Sequence, residues 1–127
     1  MEQLIKIIKQ QAEVFLLDAS GFFPFGAALR KENKIIPIGA YIEDPNDRPE
    51  YSKVIELLEG SIKKDVLTGD YVIGAIAIDV FIKEDGLSYD ANEIRLFEKD
   101  KITKMFSKYR IKNRTVEFSD YNMQRGG

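Results

Sequence analysis

The longest apolar run of the chain, YVIGAIAIDVFI from Tyr71 to Ile82, contains a single charged residue, Asp79. Its many Val and Ile side chains are branched at Cβ, which disfavours a helix and favours an extended strand. The run therefore predicts a central strand, and the remaining elements are expected to lie beside or across it. This arrangement indicates a small α+β domain.

The chain has 127 residues, which is the usual length of one domain with one hydrophobic core. Its composition, 44% hydrophobic and 31% charged, is that of an ordinary folded protein and not of a disordered chain. We predict one α+β domain over residues 1–121 and a flexible tail over residues 122–127.

The sequence contains no cysteine and no histidine. Zinc sites built on thiolates or imidazoles, cysteine nucleophiles and Ser-His dyads are therefore excluded, because the side chains that they need are missing. Acid-base catalysis near neutral pH would have to use a carboxylate, a lysine or a tyrosine with a shifted pKa. The sequence thus favours a non-enzymatic protein, and it predicts no cofactor and no metal.

The charges are almost balanced, with 19 basic and 21 acidic residues. Such a balance does not indicate binding to nucleic acid or to an anionic membrane. Residues 1–6 include an early acid and no sustained apolar segment, so neither a signal peptide nor a membrane anchor is expected. Together with the lack of cysteine, this predicts the cytoplasm as the compartment.

Two amphipathic helices are predicted. The first covers residues 2–18, where apolar side chains recur at helical spacing before Ser20 and Gly21. The second follows Asp47 as its N-cap and Glu50 as the partner in a capping box, and Gly69 ends it. Its apolar stripe consists of Tyr51, Val54, Ile55, Leu58, Ile62 and Val66.

The other strands flank short polar turns. Residues 22–29 and 35–41 read as a hairpin, and after the central strand come strands over 94–98 and around 105–111, with 115–118 as a short addition. The predicted order is α-β-β-α-β-β-β. We expect a mostly antiparallel sheet of about five strands with both helices on one face, which is a two-layer sandwich.

Asp79 is the first candidate site residue. It alternates with Ala75 and Ala77, so it shares their face of the strand. A buried carboxylate there would have a raised pKa unless it gained donors, and such groups concentrate at functional sites. A small-molecule sensor or a carboxylate-dependent enzyme could be centred on Asp79. The alternative, which we favour, is an acid near the strand end that is solvated or accepts hydrogen bonds from a neighbouring loop.

An acidic loop over residues 43–50 precedes the second helix, and Tyr41 and Tyr51 bracket it. It does not have the spacing of an EF-hand, because Arg48 stands where a ligand should be and the required glycine is missing. A solvated loop or a surface for a basic partner protein explains it better. The candidate binding residues are Tyr41, Glu43, Asp44, Asp47, Glu50 and Tyr51.

Three basic residues, Lys104, Lys108 and Arg110, alternate along one strand with Phe106 between them. Basic and aromatic side chains together are typical of platforms for single-stranded nucleic acid. A sheet face or edge guarded by lysine has the same pattern and is the interpretation that we favour. We therefore predict another protein as the partner, no nucleic acid and no membrane, with a homodimer as an alternative.

The run from Pro24 to Leu29, followed by a polar turn and Ile35-Ile36, resembles the first hairpin of the cytidine-deaminase family. That family needs a His or Cys ahead of its catalytic Glu and a later Pro-Cys-x-x-Cys. The three metal ligands have no counterpart here, so zinc-dependent deamination is excluded.

Residues 22–80 resemble a family of small bacterial proteins. The shared pattern is a Phe-x-Pro-Phe-Gly-Ala-x-Leu run, an Ala-Tyr pair and an Ala-Ile-Ala-x-Asp-Val strand, which are residues 22–29, 40–41 and 75–80 of this chain. The resemblance implies no particular chemistry. By analogy of size, it implies a protein-interaction domain such as an immunity protein that neutralises a bacterial toxin.

Overall fold

The computed structural model of the protein describes residues 2–19, 24–39 and 51–121. The described residues form two helices and one six-stranded sheet, so the predicted α+β class is confirmed. The elements are α1 (Glu2–Ala19), β1 (Phe25–Arg30), β2 (Ile35–Ile38), α2 (Tyr51–Thr68), β3 (Tyr71–Glu84), β4 (Leu87–Phe97), β5 (Ile102–Lys112) and β6 (Thr115–Tyr121).

The strand order is β2-β1-β3-β4-β5-β6, and every neighbouring pair is antiparallel. β3 is the longest strand, with 14 residues, and it lies inside the sheet between β1 and β4. The predicted central strand is therefore confirmed. The prediction of about five strands left 115–118 as a short addition, and this segment is a full edge strand of seven residues.

Two-residue turns connect β3 to β4 and β5 to β6. Asp85 and Gly86 both have positive φ, 53° and 78°, as the tight turn of a β-hairpin requires. The turn between β5 and β6, Asn113-Arg114, has φ values of 52° and 63°. The strand predicted over residues 94–98 begins earlier, at Leu87, because Asp85-Gly86 suffices to reverse the chain.

α1 packs on one face of the sheet. Ile73, Ala75 and Ala77 alternate along β3, so their side chains point to the same face. We call the cluster that they form with α1 the α1 core. Its buried residues are Leu4, Ile8, Ala12, Leu16, Ala27, Ile73, Ala75, Ala77, Ile94, Leu96 and Tyr109.

α2 packs on the opposite face. Ile76 and Ile78, the intervening residues of β3, belong to a second cluster that we call the α2 core. The expectation that both helices lie on one face is therefore wrong. The physical reason is that β3 is apolar on both faces, so each face needs a cover. The buried residues of the α2 core are Val54, Leu58, Ile62, Val66, Ile76, Ile78 and Phe97.

α2 approaches the sheet most closely above two glycines. A Cβ atom built on Gly74 would lie 2.3 Å from Cγ2 of Ile62, and one on Gly26 would lie 2.9 Å from the carbonyl oxygen of Ala75. Both distances are far shorter than ordinary van der Waals contacts. The lack of side chains at these positions lets the buried Ile62 of α2 rest on the backbone of the sheet.

An ion-pair network also fastens α2 to the sheet. Arg95 of β4 donates to Glu59 of α2 over 2.7 Å and to Glu93 of its own strand, which is 7% exposed. Burial alone would lower the pKa of Arg95, but the hydrogen bonds to Glu93 and Glu59 outweigh it and leave that pKa above its ordinary value. The guanidinium therefore compensates the buried carboxylate of Glu93.

Candidate functional site

A row of polar residues crosses the sheet at one level. Asp79 of β3 pairs with Asn92 of β4, and Asn92 pairs with Ser107 of β5. Directly paired residues of antiparallel strands point to the same face of a sheet. We call Asp79, Asn92 and Ser107 the polar row. The backbone of Ser107 pairs in turn with Asp120 on the edge strand β6.

The polar row lies on the α1 face and borders the α1 core. Asp79 follows Ala77 by two positions and Asn92 precedes Ile94 by two, so each shares the face of its apolar neighbour. Ala77 and Ile94 both belong to the α1 core and are themselves paired. On this face of the sheet, the apolar pair Ala77 and Ile94 is thus followed, two residues along each strand, by the polar pair Asp79 and Asn92.

Asn92 is the unusual member of the polar row. Its side chain is 0% exposed, and neither its Nδ2 nor its Oδ1 has a hydrogen-bond partner among the described residues. Leaving a buried donor or acceptor unpaired costs about 1–3 kcal/mol per group. Native proteins pair most buried polar groups, and exceptions point to water, an ion or a function. The Asn92 amide therefore marks this level of the sheet as a candidate binding site.

The side chain of Tyr109 on β5 contacts the polar row. Its hydroxyl donates to Oδ1 of Asp79 over 2.6 Å. Because β4 lies between β3 and β5, the Tyr109 side chain has to cross β4 on the α1 face, a span of about two strand spacings of ~4.8 Å. The face that it crosses is the one on which Asn92 lies. Tyr109 and Asp79 thus form a hydrogen-bonded bridge beside the Asn92 amide.

Aromatic and basic side chains border this bridge. The ring of Phe118 on β6 lies 6.4 Å from the ring of Tyr109, centroid to centroid. Nζ of Lys9 on α1 lies 5.9 Å from the Phe118 centroid, which is within reach of a cation–π interaction. Through this contact, α1 reaches the edge of the sheet beside Tyr109.

Asp79 is the only candidate residue from the sequence whose side chain the structure describes. It is half-buried and accepts a hydrogen bond from Tyr109, a residue of strand β5 and not of a neighbouring loop. Its part in binding or catalysis stays a prediction. Tyr51 is the first residue of α2. The remaining candidate binding residues lie outside the described residues, so their role stays a prediction; they are Tyr41, Glu43, Asp44, Asp47 and Glu50.

An apolar groove of about 550 Å³ lies between α1 and the β1–β2 hairpin. Phe15 of α1 lines it together with Phe25 of β1, and the two rings meet edge to face with centroids 5.2 Å apart. Gly39 also lines the groove, and in the chain it stands two residues before Tyr41. Gly39 is also the last residue that the structure describes before α2.

Two basic residues of β5 lie in ion pairs. Lys108 pairs with Glu84 and Arg110 pairs with Glu117, each over 2.8 Å. Lys108 also lies 4.1 Å from the centroid of the Tyr89 ring. Carboxylates thus neutralise two of the three basic side chains that a nucleic-acid platform would use.

Sequence reasoning missed Asn92, Ser107 and Tyr109. A signal for the pairing was present in Asp85-Gly86, a dipeptide typical of two-residue hairpin turns. A turn at that place pairs Glu84 with Leu87, and counting back five residues on each strand brings Asp79 opposite Asn92. The unpaired state of the amide carries no sequence signal.

Within residues 2–19, 24–39 and 51–121, no group of three or more acidic residues is placed to hold a metal ion. Neither α1 nor α2 is long and apolar enough to cross a membrane.

Comparison with protein-family models, with curated proteins and with solved structures finds no match to this chain. The resemblance to a family of small bacterial proteins therefore stays a prediction.

Proposed function

We propose that this chain is a non-enzymatic binding protein and that the polar row holds a small polar molecule. The observation that carries the proposal is the buried amide of Asn92, which has no hydrogen-bond partner among the described residues. A ligand that hydrogen-bonds to this amide would recover the free energy that its burial costs.

The groups at the polar row suit recognition better than catalysis. They are an amide, a carboxylate and hydroxyls, which donate and accept hydrogen bonds without any change in covalent bonding. The sequence contains no histidine or cysteine that could activate a nucleophile near neutral pH. The Asp79 carboxylate is engaged with the Tyr109 hydroxyl and so positions that side chain.

A thermal-shift screen of small polar metabolites tests this proposal. We expect at least one compound to raise the melting temperature of the wild-type protein, because a ligand that binds only the folded state stabilises it. Asp79→Asn and Asn92→Leu should each weaken its binding about tenfold or more, whereas Lys104→Gln, an exposed change on β5, should not. A compound that binds all three variants equally well would place its site elsewhere.

A second candidate function is protein interaction, through the acidic loop that the sequence indicates and through the apolar groove between α1 and the β1–β2 hairpin. The acids of the loop would suit basic side chains of a partner, and the groove would suit its apolar side chains. In this alternative the chain acts as a bacterial immunity protein that neutralises a toxin. The lack of cysteine supports the cytoplasm as its compartment.

Reversing three charges of the acidic loop tests the second function. A tagged chain would first retain a partner from lysate, and the affinity of the purified pair would then be measured. We expect the triple change of Asp44, Asp47 and Glu50 to Lys to weaken binding about tenfold, chiefly through slower association.

The matched control changes Glu2, Glu56 and Asp100, which are exposed acids elsewhere, to Lys. Equal losses in both triples would exclude the acidic loop as the surface. If the retained partner is a second copy of this chain, the proposal that the chain neutralises a toxin is excluded.

A further inference from the structure

We infer that the ligand of the polar row binds through a planar amide edge, in which a hydrogen-bond acceptor stands beside a donor. This inference rests on the proposed function and names the chemical class of the ligand. Carboxamides, lactams and the amide-like edges of nucleobases belong to this class.

The argument begins with the two unpaired atoms of Asn92. Nδ2 is a donor and Oδ1 is an acceptor, and both lack partners among the described residues. The complement of an adjacent donor and acceptor is an adjacent acceptor and donor. Paired hydrogen bonds of this kind are how an Asn side chain recognises the edge of adenine in DNA.

Other planar groups of the same size satisfy only half of Asn92. A carboxylate has acceptors only, so it would leave Oδ1 of Asn92 facing another oxygen. An amidinium has donors only, so it would leave Nδ2 of Asn92 facing another N–H group. Because Asn92 is fully buried, bulk solvent does not reach its side chain, and an atom left unpaired there costs free energy.

Asp79 adds a second element of selection. Its carboxylate is the directly paired neighbour of Asn92 and belongs to a half-buried side chain. A negative charge at that distance disfavours an anionic ligand, because the effective dielectric constant near a protein surface is well below that of water. Neutral amides are therefore preferred to carboxylic acids on two independent grounds.

Tyr109 limits how a ligand reaches the amide. Its side chain crosses β4 and is held by the bond to Asp79, so an entering molecule has to displace this bridge. The head group that reaches Asn92 therefore has to be small and planar. This limit fits a single amide better than a sugar or a phosphate.

The experiment uses three matched small probes, acetamide, acetate and acetamidinium, titrated into isotope-labelled protein. Two-dimensional 15N–1H NMR observes the side-chain NH2 group of Asn92 directly. We expect acetamide to shift this signal saturably, and we expect acetate and acetamidinium to bind about tenfold more weakly or worse, because each leaves one buried atom unpaired. Asn92→Leu should abolish the response in the neighbouring backbone signals.

Asn92→Asp provides a reversal of specificity. A buried carboxylate offers two acceptors, so this variant should prefer acetamidinium to acetamide. Asn33→Asp is the matched control, because it makes the same change at an exposed turn residue and should leave the preference unaltered. If Asn92→Asp does not fold, the order of affinities of the three probes for the wild-type protein still tests whether the ligand binds through an amide edge.

The outcomes separate this inference from the proposed function. If acetate or acetamidinium binds as well as acetamide and Asn92→Leu abolishes that binding, the amide class is wrong and the binding site stands. If no probe shifts Asn92 but the metabolite screen finds a compound that depends on Asn92, an amide edge in that compound supports the inference, and its lack overturns it. If neither experiment yields binding that depends on Asn92, the proposed function itself fails.

Discussion

Gly74→Ala is expected to lower the free energy of unfolding by about 3 kcal/mol. The new Cβ would stand 2.3 Å from Cγ2 of Ile62, a side chain that is 0% exposed and packed in the α2 core. α2 would have to move away from β3 and loosen the contacts of the α2 core. Urea unfolding followed by far-UV circular dichroism measures the loss as a lower midpoint at an unchanged slope.

Two further variants make the result specific. Gly60→Ala places the same methyl group on the exposed side of α2, where nothing lies within 4 Å, and should stabilise the helix by up to ~1 kcal/mol. Ile62→Ala alone should cost about 2–5 kcal/mol through the cavity that it leaves. In the double variant Gly74→Ala/Ile62→Ala the clash is absent, so the two costs should not add. Additive costs would show that Gly74 and Ile62 do not compete for the same space.

Asn92→Leu is expected to change stability in the opposite direction, raising the free energy of unfolding by about 1–3 kcal/mol in the absence of ligand. Leucine has nearly the shape of asparagine, and it replaces two unpaired polar atoms with apolar ones next to the α1 core. Replacing buried polar groups by apolar residues of similar volume is often stabilising. Thermal unfolding should show the gain as a rise of roughly 4 °C per kcal/mol.

The comparison for this prediction is Asn92→Ala. It removes the same amide but leaves a cavity, so it should be less stable than Asn92→Leu. A loss of stability in Asn92→Leu would contradict the prediction, because it would mean that the amide makes hydrogen bonds in the unliganded protein. The same protein would then gain little from a ligand at the polar row. A stability gain combined with lost ligand binding would show a residue kept for function at the expense of stability.

Much of the fold follows from local sequence signals. The apolar spacing of α1, the stop at Gly69 with its φ of 90° and the turn at Asn33 with its φ of 66° all appear where the sequence predicts them. These features depend on a few neighbouring residues, which is why sequence alone indicates them.

The placement of the helices depends on tertiary packing and was wrong. The signal was nevertheless present, because Ile73, Ile76 and Ile78 make both faces of β3 apolar, and a strand without alternation is typical of burial on both sides. Antiparallel sheets commonly have one solvent-exposed face, and the prediction of both helices on one face agrees with that rule. The continuous apolar run from Tyr71 to Ile82 is the stronger signal, because it indicates burial on both faces.

The candidate site was predictable only in part. Asp79 stood out because it is the one charge in an apolar strand. Asn92 and Ser107 are ordinary polar residues of their segments, and only the register of three strands brings them into one row. Tyr109 reaches Asp79 from a strand 30 residues away along the chain. Contacts of this kind need the pairing of all the intervening strands, which a sequence pattern does not contain.

Because of Pro37, the two edge strands of the sheet differ in their ability to pair with a further strand. It lies in the edge strand β2, paired with Ala27, and proline has no backbone N–H to offer to a further strand. Natural proteins use proline at such positions to prevent edge-to-edge aggregation. β6, at the other border, contains no proline. If two copies of this chain joined their sheets, the missing donor at β2 would direct that association to β6, on the side where the polar row ends.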